Sequence, residues 1–180
     1  MKKRNLITRD EWLYDICKAV GKGSKCLSRQ IGAVLVKDNS IISTGYNGPP
    51  RGTPHCWERY GLDPKLQDLL TQDGKTPSDE DIATVCPRYI ANFKSGEGLE
   101  WCVAGHAERN ALINAARFGI ETKGCKLYMS CGIPCSPCLV EILNSGVEEI
   151  IVTKIEFYDI SAEYLLNNSN LKYRVFDNLC

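Results

Sequence analysis

Long apolar runs are missing from this chain. No stretch approaches the roughly 20 consecutive apolar residues that a bilayer-crossing helix needs, so no membrane partner is expected. The charged start "MKKRNLITRDEW" leads into no apolar segment either. It is not read as a signal peptide, and the expected location is the cytoplasm. A surplus of one charge is also missing: 22 basic residues face 22 acidic ones. A protein that binds long DNA or RNA normally shows an excess of Lys and Arg, so the balance weighs against nucleic acid as the ligand. Histidine is scarce, with only His55 and His106.

Cysteine, by contrast, is plentiful. Ten cysteines in a compartment where disulfides are rare point to metal ligation or redox chemistry. For any single cysteine the plainer reading is a small buried hydrophobe, and Cys17, on the apolar side of the first helix, is read that way. The 180 residues suit one domain, 1–180, able to bury a real core without staples.

Residues 8–22 put Trp12, Ile16 and Ala19 at helical spacing behind a Thr8 cap. "QIGAVLVKDNSIISTGYNG" reads as two strands around a Lys-Asp-Asn-Ser turn. An irregular insertion follows at about 57–101. It holds "DPKLQDLLTQ", read as a short helix, and "DGKTPSDED", read as loop. From His106 onward helices and strands alternate: "HAERNALINAARFG" to a Gly119 stop, the strand "KLYMSC", "CSPCLVEILNSG", the strand "VEEIIVTK", the helix "SAEYLLNNS" and a last strand in "LKYRVFD". Such alternation predicts an α/β fold, a three-layer α/β/α sandwich with a mixed central sheet.

His106 opens one of these helices, and Cys135 and Cys138 fall in the first turn of the next. One imidazole and two thiolates bind zinc and leave a fourth position for water, the mark of a catalytic rather than a structural site. Helix N-termini favour the thiolate form. Glu108, two residues after His106, can carry a proton from a water to a substrate nitrogen. Cys-x-x-Cys alone also fits half a structural site or a redox pair, and His-Ala-Glu alone says little. Together, His-x-Glu followed by Pro-Cys-x-x-Cys is the signature of zinc-dependent base deaminases.

With "CLSRQIGAVLVKDNSIISTGYNGPPRGTPHC", "HAERNALINAARFG" and "PCSPCLVEILNSGVEEIIV", the chain resembles the deoxycytidylate (dCMP) deaminase branch of the cytidine deaminase-like superfamily. The resemblance implies a sheet of about five strands, one catalytic zinc, and attack of a water-derived nucleophile on cytosine C4 with Glu108 moving the protons. It implies that Asn47, in "TGYNGPPRG", reaches the nucleotide, with Gly45 and Gly48 letting backbone approach a ligand; the plainer reading of Asn-Gly is a turn. Arg51 is expected to meet a phosphate, the substrate's or that of a regulatory triphosphate. Ala107, Arg117 and Tyr158 complete the expected substrate contacts. Cys131 and the long insertion depart from the usual pattern.

Some relatives hold a structural zinc at places this chain resembles, which implies Cys26, Cys56, Cys86 and Cys102 as a second set, with His55 as the alternative ligand. The expected activity is dCMP deamination to dUMP and ammonia, supplying thymidylate synthesis. Open alternatives are cytidine, cytosine, guanine, a riboflavin-pathway pyrimidine or transfer-RNA adenosine as substrate, or a non-catalytic zinc module of the competence type. The family pattern further implies a homo-oligomer, a hexamer, and control by dCTP and dTTP, with Mg2+ accompanying a bound triphosphate.

Overall fold

A capping box starts the first helix, α1 (Arg9–Gly21): the Thr8 hydroxyl accepts from the Glu11 amide at 3.1 Å, and the Glu11 carboxylate accepts from the Thr8 amide. After it, β1 (Gly32–Lys37) and β2 (Ser40–Tyr46) form a hairpin. Asp38 and Asn39 take positive φ of 46° and 62°, the pair of left-handed residues that a two-residue turn between twisted strands requires. The computed structural model describes residues 6–72, 74 and 76–177. No helix among them is long and apolar enough to cross a membrane.

Beyond residue 105 come α6 (Ala107–Arg117), β3 (Lys126–Met129), α7 (Ser136–Asn144), β4 (Glu149–Val152), α8 (Ile160–Asn167) and β5 (Lys172–Val175). The five strands form one sheet in the order β2-β1-β3-β4-β5. β1 is antiparallel to both neighbours, and β3, β4 and β5 are parallel. The sheet is therefore mixed, as expected, and β2 runs with β3, β4 and β5. Their C-terminal ends share one edge.

Alternation along the strands divides the core. Ala33, Leu35, Leu127, Met129, Ile150 and Val152 pack under α6, α7 and α8, whose Ala111, Leu139, Ile142 and Leu166 face them. The intervening Val34, Val36, Tyr128 and Ile151 meet Leu13 and Cys17 of α1. That period of two, read against helices on both sides, gives the three layers. Phe118 is the exposed C-cap of α6, and Gly119, the expected stop, follows at φ 68°.

The chain divides into two compact units, one of 1–24, 31–47 and 106–180, the other of 25–30 and 48–105. The expected insertion at 57–101 falls inside the second. Among its described residues that unit holds four short α-helices: α2 (Cys56–Arg59), α3 (Pro64–Thr71), α4 (Asp79–Thr84) and α5 (Pro87–Ile90). α3 matches the helix read from "DPKLQDLLTQ". α4 corrects the reading of "DGKTPSDED" as loop: the Ser78 hydroxyl accepts from the Asp81 amide at 3.1 Å and starts a helix there. Residues 73 and 75 of that stretch lie outside the described residues. The interior of this unit is small, with Leu66, Leu70 and Cys86 buried. Much of its order comes from side chains bonding to backbone, such as Arg59 to the Trp101 carbonyl at 2.7 Å and Arg88 to the Glu97 carbonyl at 2.6 Å.

Candidate metal centre

His106 and Cys135 occupy equivalent places: each is the N-cap of its helix, α6 and α7, and neither caps that helix through its side chain. Cys138 lies one turn into α7. Both N-termini open at the edge where β2, β3 and β4 end, because α6 lies along β2 with its start beside the strand's last residues. Asn114 Nδ2 donates to the Thr44 carbonyl and Asn110 Nδ2 to the Tyr46 carbonyl, each at 2.8 Å. Ser43 Oγ donates to the Ala111 carbonyl at 2.8 Å. These three anchors carry no motif and were not singled out in the sequence.

Gly45 is what lets α6 come so close. A Cβ on it would stand 2.2 Å from the Ala111 nitrogen and 2.4 Å from the Ala107 oxygen. The bare backbone expected to approach a ligand at Gly45 thus approaches a helix instead, and only Gly48, with nothing near its missing Cβ, keeps the looser reading.

The donors converge. Among the described residues, His106, Cys135 and Cys138 are the one set of three such side chains whose ligand atoms lie within 4.8 Å of one another. The two sulfurs are 3.4 Å apart, and His106 Nδ1 is 3.5 Å from Cys135 and 3.3 Å from Cys138. Groups packed this tightly hold protons between them. The Cys135 thiol is drawn down to about 5, chiefly by its hydrogen bond with Cys138. His106 is pushed up to about 10 by its hydrogen bonds to Cys135 and then to Glu108. Cys138 is pushed up, first by its bond with Cys135 and then by burial. A divalent cation replaces those protons, and one imidazole nitrogen with two sulfurs is a zinc donor set that leaves a tetrahedral position to water or substrate.

Glu108 is 4% exposed, and its Oε1 lies 3.7 Å from His106 Nδ1. A carboxylate so buried needs a cation or a proton to attend it. Arg109, its neighbour, ties the two donor helices together through a two-point pair with Glu141 of α7, at 2.9 Å and 2.7 Å.

The remaining expected residues divide. Asn47 is buried just past β2, and its side-chain oxygen accepts from the Ile31 amide at 2.8 Å, so part of its role is to hold the hairpin. Tyr158, half exposed, stands in the loop after β4 at the same sheet edge as the donors. The Ala107 methyl is buried in the core, which confines any ligand contact of Ala107 to its backbone. Arg117 is not brought to the centre. It ends α6, eleven residues from His106, about 16 Å along the helix axis, with its guanidinium over the Phe118 ring. Arg51 lies in the second unit, in a turn just before Thr53. Cys17 is buried in the core and pushed up to about 12 by burial, Cys125 is also buried and raised, and Cys131 packs against the larger core cluster. Cys180 lies outside the described residues.

The second set of cysteines falls wholly within the second unit. Burial first, and then the neighbouring Cys86, Cys26 and Cys102, raise Cys56 to about 11. His55, stacked on Trp57 with ring centroids 4.5 Å apart, has a buried Nδ1 with no hydrogen-bond partner among the described residues.

An imidazole, two sulfurs and a buried carboxylate gathered at one end of an α/β/α sheet define the class: a zinc centre of the hydrolytic base-deaminase kind. The family described as cytidine and deoxycytidylate deaminase zinc-binding region matches residues 7–154, and the chain belongs to it. The deoxycytidylate deaminase of Enterobacteria phage T4 is 33% identical over 153 residues, which are 82% of this chain and 77% of the phage protein. That of Schizosaccharomyces pombe is 28% identical over 167 residues, 93% of this chain. This chain spans 44% of the length of the S. pombe and Saccharomyces cerevisiae relatives. The dCMP deaminase of cyanophage S-TIM5, solved in complex with dCMP and dUMP, has a TM-score of 0.61, covering 94% of this chain and 99% of that one at 21% identity. That likeness is one of fold.

Proposed function

We propose that this chain hydrolyses dCMP to dUMP and ammonia at a zinc ion held by His106, Cys135 and Cys138. The observation that carries the reading is the meeting of those three donors beside the buried Glu108, in a chain whose relatives include deoxycytidylate deaminases. When bound, zinc lowers the pKa of water and so makes a nucleophile available near neutral pH. Glu108 takes the proton released as water adds to cytosine C4 and passes it to the departing nitrogen, so that the C4–N4 bond breaks and ammonia leaves. Its burial keeps bulk water from competing for that proton. Asn47 and Tyr158, both at this sheet edge, orient the sugar and phosphate; Arg51 is carried over from the family pattern as a phosphate-binding residue. The two elements that carry the donors and Glu108 are the starts of α6 and α7, which hold the geometry rigid.

The substrate is tested by incubating purified protein with dCMP, deoxycytidine, CMP and dCTP and following ammonia. Turnover of dCMP above the other three is expected. Turnover of deoxycytidine alone, or of no cytosine compound, would overturn the assignment.

A second, structural zinc held by Cys26, Cys56, Cys86 and Cys102 is the companion proposal. It is supported by the closeness of Cys86, Cys26 and Cys102 to Cys56, whose thiol they raise, and by the small apolar interior of the unit they share, the setting in which a metal substitutes for core. His55 is the alternative ligand, with its unpartnered Nδ1 as support. The family pattern also supports a homo-oligomer, with exposed Ile113 and Phe118 on α6 and Val140 on α7 as apolar surface for it. Control by dCTP and dTTP, with Mg2+, and a cytoplasmic location are carried over from the family on the same footing.

A further inference from the structure

A helix normally begins with a Ser, Thr, Asp or Asn whose oxygen takes one of the first free amides. α7 cannot, because its N-cap is Cys135, a donor of the metal centre, and that side chain makes no cap. The missing acceptor comes from another element. Asp159 Oδ2 accepts from the Ser136 amide, the first of α7, at 3.1 Å, although 23 residues separate the two. Its other oxygen, Oδ1, accepts from the Ala162 amide at 2.7 Å and caps α8. One carboxylate thus closes two helix starts. Burial works to raise its pKa, but the amides of Ser136 and Ala162 and the Ser136 hydroxyl outweigh that and keep it ionised.

The position of Asp159 in the chain gives this bond its meaning. It ends the loop between β4 and α8, which leaves the sheet at the same edge as the donors and carries Phe157 and Tyr158, 38% and 48% exposed. Ser136 lies between the two sulfur donors, directly after Cys135. We propose that Asp159 is a positioning residue whose two oxygens lock the Cys-x-x-Cys turn to the loop bearing Phe157 and Tyr158, so that metal retention and nucleotide capture depend on one side chain. The inference rests on the zinc reading of His106, Cys135 and Cys138.

Asp159→Ser separates this role from simple capping. A serine hydroxyl is a good N-cap for α8, but its one short oxygen cannot also hold the Ser136 amide. Three readouts are taken on zinc-loaded protein: the rate of zinc transfer to a chromogenic chelator, KM and kcat for dCMP, and Tm. The expected result is a Tm close to wild type, zinc release faster by about tenfold, the scale seen when partners behind metal ligands are removed, and a KM raised severalfold with kcat less affected. Wild-type zinc release together with wild-type KM would reduce Asp159 to a cap of α8 and overturn the proposal. Faster release with unchanged KM would overturn the link to the loop. If Asp159→Ser does not fold, Asp159→Asn, which keeps one acceptor oxygen, is read on the same scale. A wild-type protein that takes up no zinc would instead overturn the reading beneath.

Discussion

His106 Nδ1 lies 3.3 Å from the sulfur of Cys138, 32 residues further along the chain. Only the pairing of β3 between the two helices brings those atoms together, and the short separation is what a shared cation would bridge. Replacing either donor is therefore expected to empty the site. His106→Ala and Cys135→Ser should each lose one zinc per chain by metal analysis and lose deamination with it. Full retention of zinc in both would contradict the assignment of donors.

Glu108 is placed to move protons and is not needed to hold the metal. Glu108→Ala is expected to keep its zinc and its fold while kcat falls by about a thousandfold, within the usual contribution of general acid–base catalysis. Loss of zinc in this variant would recast Glu108 as a ligand; undiminished turnover would remove it from the reaction.

The second metal gives a stoichiometric prediction. Wild-type protein should contain two zinc ions per chain and Cys56→Ser one, with the loss felt as lower resistance of the 48–105 segment to proteolysis, since that unit has little apolar core to fall back on. One zinc in the wild-type protein removes the site.

Gly45→Ala tests the closeness of β2 and α6. The added methyl would sit 2.2 Å from the Ala111 nitrogen, a backbone clash that no rotamer relieves. The expected cost is about 1–3 kcal/mol or more, as for other overpacked sites, measured by denaturant unfolding. Gly48→Ala, with open space around it, should be far milder.

At the other end of the sheet, Arg174 of β5 donates to both Asp10 oxygens, at 2.5 Å and 3.1 Å, and to Glu149 of β4 at 3.1 Å. Burial would raise the Asp10 carboxyl, but the Arg174 guanidinium and the Asp177 amide more than offset it and hold Asp10 below its ordinary value of 3.8. A carboxyl depressed in the folded state contributes its full stability above its unfolded value and loses it as pH falls through the lower, folded one. Thermal unfolding of wild type should therefore be steady from neutral pH to about 5 and weaken below about 4. Asp10→Asn should cost about 2 kcal/mol at pH 7 and flatten that acid limb. An unchanged acid limb would show that Asp10 is not linked to folding.

The metal centre was legible because its chemistry is written at fixed short offsets. His-x-Glu and Cys-x-x-Cys each lie within a single turn, and helix starts after strands of one sheet share an edge. The hairpin was equally legible from Asp38-Asn39. Arg117 was expected among the substrate contacts, but eleven residues of helix carry it about 16 Å from His106. Gly45 was misread because a glycine that admits a helix and one that admits a ligand look alike in sequence. Helix α4 escaped notice because Ser78 and Asp81 make a capping box over a polar segment without apolar periodicity. The tie from Asp159 to Ser136 left no local trace, since it spans 23 residues and depends on the parallel strands between.

The most direct test of the zinc-dependent deamination is the metal dependence of turnover, followed by the loss of cytosine absorbance as dCMP becomes dUMP. Protein stripped by a chelator should be inactive and should recover with zinc returned in the amount that refills the His106, Cys135 and Cys138 site, whereas stripped Cys135→Ser should not recover. Turnover of dCMP that survives complete removal of metal would contradict it.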